Sequence, residues 1–182
     1  METYFLLGKR LGLRPLRRSD LGAAYLDWLN DPEVNRYSGR RFRPVSEADA
    51  ERYLGSLGSD AQVLAVCLRE GGRHVGNIKY GPVDWSNRCA EIEILIGDTE
   101  QWGKGLATEA IYLVSRHLFT VLGLHRVEAK SANPAFIRTV KKLGWQQEGV
   151  MRQRFLSAEG YLGYHLLAQL KDEFASRPEF EG

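Results

Sequence analysis

The chain has only two cysteines and four histidines, and their placement excludes more chemistry than it suggests. Cys67 and Cys89 each fall in a strand-like run with no partner spacing, so two buried thiols in a reducing compartment are expected rather than a disulfide framework. His74, His117, His125 and His165 show no ligand spacing, and no metal is expected. No apolar run approaches the length of a membrane span, and residues 4–8 are too short and lack the cleavage pattern of a signal peptide. The expectation is a cytoplasmic protein with no membrane partner. A formal charge of +2 is too small to imply a nucleic-acid partner. Internal repeats and low-complexity linkers are missing as well.

What is present is an ordinary globular composition, 43% hydrophobic and 26% charged, over a length that suits one domain. A single domain over residues 1–182 is expected, with its core over about 9–172 and a loose tail from Ala175. Residues 9–16 alternate as a first strand, and Ser19 is placed to cap a helix carrying Ala23, Leu26, Trp28 and Leu29. Ser46, with Asp49 three residues on, begins a second helix that is expected to pack on the sheet without taking part in chemistry. Residues 62–69 are apolar on both faces, and Gly71 and Gly72 turn the chain into a returning strand over 74–83. Residues 125–130 read as a strand, and 145–155 with 161–170 as a closing antiparallel pair. The pattern is an α/β fold, a mixed sheet with helices on both faces.

The chain is organised around residues 91–110. Glu91, Glu93 and Leu95 alternate with Ile92, Ile94 and Ile96, the period of a half-buried strand. After Gly103, Lys104 and Gly105 the apolar positions Leu106, Ala107, Ala110, Ile111, Val114 and Leu118 recur at helical spacing as far as Gly123. Strand, glycine turn and helix make an anion cradle, because the first helical turn leaves backbone N–H groups unpaired at the positive end of the macrodipole. Two nucleotide motifs fail on spacing. A P-loop has four residues between its first glycine and the Gly-Lys pair, whereas Gly97 to Gly103 encloses five, and Thr108 replaces the third glycine of a dinucleotide fingerprint.

Trp102-Gly103-Lys104-Gly105-Leu106-Ala107 resembles the pyrophosphate-binding loop of the GCN5-related N-acetyltransferases, whose pattern is Arg or Gln, two residues, Gly, one residue, Gly or Ala. Trp102 in the first place is similar to the ribosomal-protein-alanine acetyltransferase branch. A second segment resembles the same family. It opens on Asn133-Pro134, continues through Phe136 and Ile137-Arg138, and closes on Lys142-Leu143-Gly144-Trp145 as a helix with both ends specified. The resemblance, over roughly residues 10–172, implies a mostly antiparallel sheet with one splayed pair of strands, and acetyl-CoA as donor. It places the pyrophosphate on residues 102–108, including Lys104 and Thr108, and pairs Leu95 and Ile96 with the pantetheine arm. Asn133, Phe136 and Arg138 fall beside the cofactor on the same grounds.

Transfer of an acetyl group to an amine needs a base, since a free alkylamine is almost wholly protonated at neutral pH. Glu93 is the candidate, its pKa raised by burial, with an ion pair to an arginine as the alternative. Several relatives carry serine three residues after the asparagine, to protonate the thiolate, but Phe136 stands here. Asn133, a water, Tyr161 or Tyr164 must then replace it, or the thiolate leaves unassisted. On the acceptor side the resemblance points to residues 26–37, with Trp28 either lining the site or in the core. Arg36, Arg40, Arg41 and Arg43, interleaved with Tyr37 and Phe42, form either an anion-binding lip or a solvated loop. Trp28, Arg36, Tyr37, Arg40, Arg41 and Tyr164 are the expected substrate residues. A small-molecule amine, such as a phosphate-bearing amino sugar, is the expected acceptor. A peptide N-terminus and a non-catalytic acyl-CoA-binding module are the alternatives, and self-association as a homodimer is left open.

Overall fold

The computed structural model describes residues 3–182. Its elements in chain order are β1 (Leu6–Leu7), β2 (Leu11–Pro15), α1 (Ala23–Asn30), α2 (Glu47–Gly55), β3 (Gln62–Leu68), β4 (His74–Asp84), β5 (Cys89–Ile96), α3 (Leu106–Thr120), β6 (Arg126–Ser131), α4 (Pro134–Lys142), β7 (Gln146–Ser157) and β8 (Gly160–Leu170). The eight strands form one sheet in the order β1-β2-β3-β4-β5-β6-β8-β7. Every pairing is antiparallel except β5 with β6, which the long crossover through α3 makes parallel.

Alternation along β5 assigns the helices to faces. Ile92, Ile94 and Ile96 join the main core with α3 and α4, which contribute Ala110, Ile111, Val114, Leu118 and Val140. Leu95 points the other way, into a smaller cluster of Leu21, Tyr25, Leu29 and Ala50 under α1 and α2. Helices thus cover both faces, as the periodicity predicts. Leu106, Ala110, Ile111, Val114 and Leu118 of the α3 stripe are buried and Ala107 partly so, while Gly105 and Gly123, at φ +76° and +65°, let the chain turn sharply at both ends.

Three local expectations need correction. Ser19 caps no helix. It lies in a one-turn 3-10 segment, because Asp20 folds back to accept the Arg17 N–H and to bind Arg14 through both carboxylate oxygens, and α1 starts only after Gly22. The tail from Ala175 is docked, not loose. Phe180 packs on the core beside Tyr112, Glu181 bridges to Gly8, and the Tyr112 hydroxyl donates to Glu181 at 2.6 Å while accepting the Arg177 N–H. Its polar composition hid a single aromatic anchor. Of the two thiols, Cys67 is buried but Cys89, at the start of β5, is partly exposed.

Candidate active site

Parallel β5 and β6 pair only at Cys89↔Arg126, Ala90↔Val127 and Glu91↔Glu128, although β5 runs on to Ile96 and β6 to Ser131. Beyond Glu91 the strands part, leaving backbone edges of both without a sheet partner. Unpaired strand edges are groups that an extended ligand can satisfy. A cleft of about 830 Å³ fills the parting, lined by Glu91 to Ile96 on one side and Lys130, Ser131 and α4 on the other. Leu95 and Ile96 both line it.

At one end of the cleft lies the glycine loop. Asp98 caps a short 3-10 turn by accepting the Glu100 N–H, and the Trp102 indole N–H donates to the Ile96 carbonyl at 2.8 Å, tying the loop to the end of β5. Gly103 and Gly105 have φ of +75° and +76°, the left-handed region. A side-chain atom at Gly105 would meet Arg10 at 3.5 Å, an ordinary contact, so within the protein it is the backbone conformation that calls for glycine. Trp102, Gly103, Gly105, Leu106, Ala107 and Thr108 line the cleft. Lys104 does not: its ammonium turns onto the Gln101 side chain at 3.2 Å.

Helix α4 forms the adjoining wall. Asn133 accepts the Ala135 N–H at 2.9 Å, as a helix cap does, and its own N–H donates to Ser131. Asn133, Phe136, Arg138, Thr139 and Lys142 line the cleft, with Phe136 also packed on the core. Lys141 faces Gln147 instead.

The other end is built from α1, the segment after it, α2 and the strand face carrying Glu91 and Glu93. Arg36, Tyr37 and Arg40 line this end, but Arg41 and Arg43 do not. Arg41 lies over the Phe42 and Phe155 rings, 4.2 and 4.3 Å from their centroids, where cation–π contact competes with any anion. Trp28 is also outside the cleft. Its indole fills the space over Gly97, where a side-chain atom would overlap it at 2.2 Å, and it meets His74 edge-on. Tyr25, Leu29 and Glu33 of the same stretch face the cleft in its place.

Glu93 lines the cleft but is not buried: its side chain is 57% exposed and lies 3.3 Å from Lys79. The burial expected of it is absent, because β5 has already left β6 at this point. Glu91 pairs with Lys130 at 3.3 Å, so lysines, not arginines, are the partners. Of the two late tyrosines only Tyr164 reaches the cleft, stacked coplanar on Phe155 at 6.0 Å, whereas Tyr161 is 64% exposed and outside it. Burial pushes the Tyr164 phenol up, and Glu91 and Glu93 nearby push the same way.

Sequence reasoning missed Tyr25, Tyr53, Asn77 and Lys79 in the lining. Tyr53 is on α2, expected to be inert. Asn77 and Lys79 alternate on β4 opposite Leu95 and Glu93, so the cross-strand register, once known, identifies them. Missed too was Arg10. Its guanidinium reaches the carbonyls of Lys104 and Gly105 and the buried carboxylate of Glu109.

The acetyltransferase (GNAT) domain family matches residues 10–146. Over 181 residues the chain is 30% identical to the uncharacterized N-acetyltransferase p20 of Bacillus licheniformis, covering 96% of this chain and 99% of that protein. It is 33% identical over 153 residues to the spermidine N(1)-acetyltransferase of Escherichia coli K12, covering 79% and 76%. The structure of spermidine N-acetyltransferase from Vibrio cholerae, in complex with CoA and spermine, superposes with a TM-score of 0.79 at 24% identity, covering 90% of this chain and 97% of that one, a likeness of fold. The left-handed glycine loop and the parted strands beside it suit the pyrophosphate and pantetheine of coenzyme A. The chain belongs to the GNAT acetyltransferase family, as an N-acetyltransferase with acetyl-CoA as its donor.

Proposed function

We propose that the protein acetylates a primary amine on a small molecule by direct transfer, with donor and acceptor bound together in the cleft. The observation that carries this reading is that Glu93 and Tyr164 line the same cleft, with Glu93 near enough to act on the Tyr164 phenol, where β5 has left β6. Bound acetyl-CoA supplies an activated thioester. The loop amides of residues 103–108 hold its pyrophosphate, and the free edge of β5 aligns its arm. Glu93, exposed beside Lys79, accepts the proton of the incoming ammonium, directly or through water. Tyr164, kept protonated by burial, donates a proton from its hydroxyl to the departing thiolate, the role Phe136 cannot fill, and its phenolate takes back the second proton shed by the attacking nitrogen. A backbone N–H at the end of β5 faces the developing oxyanion. No cysteine lines the cleft, which favours direct attack over an acyl-enzyme.

The acceptor in this reading carries an anionic group, as a nucleotide-linked amino sugar does. Lys79 offsets Glu93, Lys130 offsets Glu91 and Arg36 is tied to Glu159, which leaves Arg40 over the Tyr53 ring facing the open end. A polycation would find both strand carboxylates already matched. The second reading is a polyamine, favoured by the 33% identity to a spermidine N(1)-acetyltransferase and by Glu33 in the lining. A thiol-release assay with acetyl-CoA against a panel of amines separates them. Phosphate-bearing amines turned over fastest, with intersecting initial-rate patterns, support the first reading. Faster turnover of spermidine supports the second, and of an N-terminal peptide a protein acceptor. Parallel initial-rate patterns would overturn direct transfer.

A further inference from the structure

We infer that Arg10 is a positioning residue for the cofactor loop, acting from behind it to aim the amides that grip the pyrophosphate. The inference rests on the reading of residues 102–108 as the pyrophosphate site. Arg10 lies in the turn before β2, far in sequence from the loop, and three sets of contacts fix it there. Its Nη1 donates to the Lys104 carbonyl at 2.6 Å and its Nη2 to the Gly105 carbonyl at 3.2 Å. Its Nε donates to Glu109 Oε2 at 2.8 Å. Glu109 is fully buried on the first turn of α3, and its Oε1 accepts the backbone N–H of Arg10 at 2.7 Å and of Leu11 at 3.2 Å.

The consequence follows from the planarity of the peptide unit. In a trans peptide the C=O of one residue and the N–H of the next point in opposite directions. Holding the Lys104 carbonyl on the Arg10 side therefore turns the Gly105 N–H away from Arg10, and the Gly105 carbonyl, shared between Arg10 and the Glu109 N–H of the helix at 3.2 Å, turns the Leu106 N–H the same way. Both of these residues line the cleft. The two peptides in question are those whose amides a helix N-terminus offers to an anion, and the left-handed Gly105 is the joint between them. Hydrogen bonds from a guanidinium also polarise each peptide, strengthening the donor at its far end.

Glu109 explains why the device is an arginine. A planar fork reaches two carbonyls and a carboxylate at once, whereas an ammonium on a flexible stem cannot span all three. The buried carboxylate holds the guanidinium in place and offsets its charge. The contribution to pyrophosphate binding is therefore orientation of the amides more than added positive field.

Arg10→Ala would leave Glu109 buried without its cation, and loss of the fold would explain any result. The test uses Arg10→Lys, which keeps a cation beside Glu109, and Glu109→Gln, which keeps Arg10 on the carbonyls. The readouts are KM for acetyl-CoA, kcat and Tm. The expected result is a KM raised about tenfold in Arg10→Lys with kcat within about twofold, and a lowered Tm in Glu109→Gln with KM raised less than about threefold. Amide exchange at Gly105 and Leu106 in the free protein should quicken in Arg10→Lys. Parental KM in folded Arg10→Lys, or KM changes that simply follow Tm in both variants, overturns the inference. Gly105→Val serves as the control on the underlying reading. If it leaves both stability and acetyl-CoA affinity unchanged, the reading of the loop falls. If it abolishes binding while Arg10→Lys does not alter KM, only the role of Arg10 falls.

Discussion

Replacing Gly105 by alanine isolates a single physical effect. The residue sits at φ +76° and ψ 12°, and the added methyl would meet Arg10 Nη2 at 3.5 Å, so no clash accompanies the change. What remains is torsional: an L-residue in the left-handed region costs roughly 1–2 kcal/mol. That energy must appear in one of two places. If the free loop keeps its shape, stability falls by about 1–2 kcal/mol and affinity is preserved. If the free loop relaxes and acetyl-CoA forces it back, affinity falls by the same energy, about five- to thirtyfold. Urea denaturation and calorimetry with acetyl-CoA, on one preparation, should give losses that together come to about 1–2 kcal/mol. Asparagine, which tolerates the left-handed region better, should lose less than alanine, and β-branched valine the most. Valine with parental stability and parental affinity would refute the assignment of the loop.

Four further outcomes follow from the same geometry. Glu93→Gln should lower kcat by about 10²- to 10⁴-fold, as removal of a general base does, with acetyl-CoA affinity unchanged. Its stability should shift by less than about 1 kcal/mol, since the Lys79 pair is exposed, and a parental rate at pH 7 reduces Glu93 to that pair. Tyr164→Phe keeps the stack on Phe155 but not the hydroxyl, so kcat should fall without loss of Tm; equal losses in both would assign Tyr164 to packing. Deleting residues 175–182 removes the Phe180 anchor and the Glu181 contacts to Tyr112 and Arg116, and should cost about 2 kcal/mol, read as a Tm lowered by several degrees. Burial holds the His117 imidazole below its ordinary pKa, against Phe5 and Tyr80. The unfolded chain then binds a proton that the folded one refuses, so stability present above about pH 6.5 is lost as pH falls, and His117→Phe should flatten that slope in denaturation at pH 5 and 7.

Local signals carried most of the fold into the sequence. Asn133-Pro134 and Gly144 delimit α4, Ser46 with Asp49 caps α2, and the alternation of residues 91–96 assigns each side chain of β5 to its face. The glycine-loop side of the cleft was legible for the same reason, its lining coming from two contiguous segments. The acceptor side was not, because it is assembled from α1, α2, β4 and β8, and adjacency in the chain misleads there. Arg36, Arg40, Arg41 and Arg43 crowd together in sequence, yet Arg41 turns onto Phe155 of β7, and Trp28 faces Gly97 while its neighbour Leu29 faces the cleft. Arg10 and Glu109, 99 residues apart, had no local signal at all. The exposure of Glu93 depends on where β5 leaves β6, a property of the paired strands and of neither one alone.

The most direct test of the site is amide hydrogen exchange with and without acetyl-CoA. The parted-strand account predicts that saturating acetyl-CoA protects two stretches, residues 93–96 along the free edge of β5 and residues 103–108 in the glycine loop, while a second, smaller groove, lined by Phe5, Tyr80, Trp85 and Leu122, is unchanged. Protection at that second groove, with residues 93–96 and 103–108 exchanging as in the free protein, would contradict it.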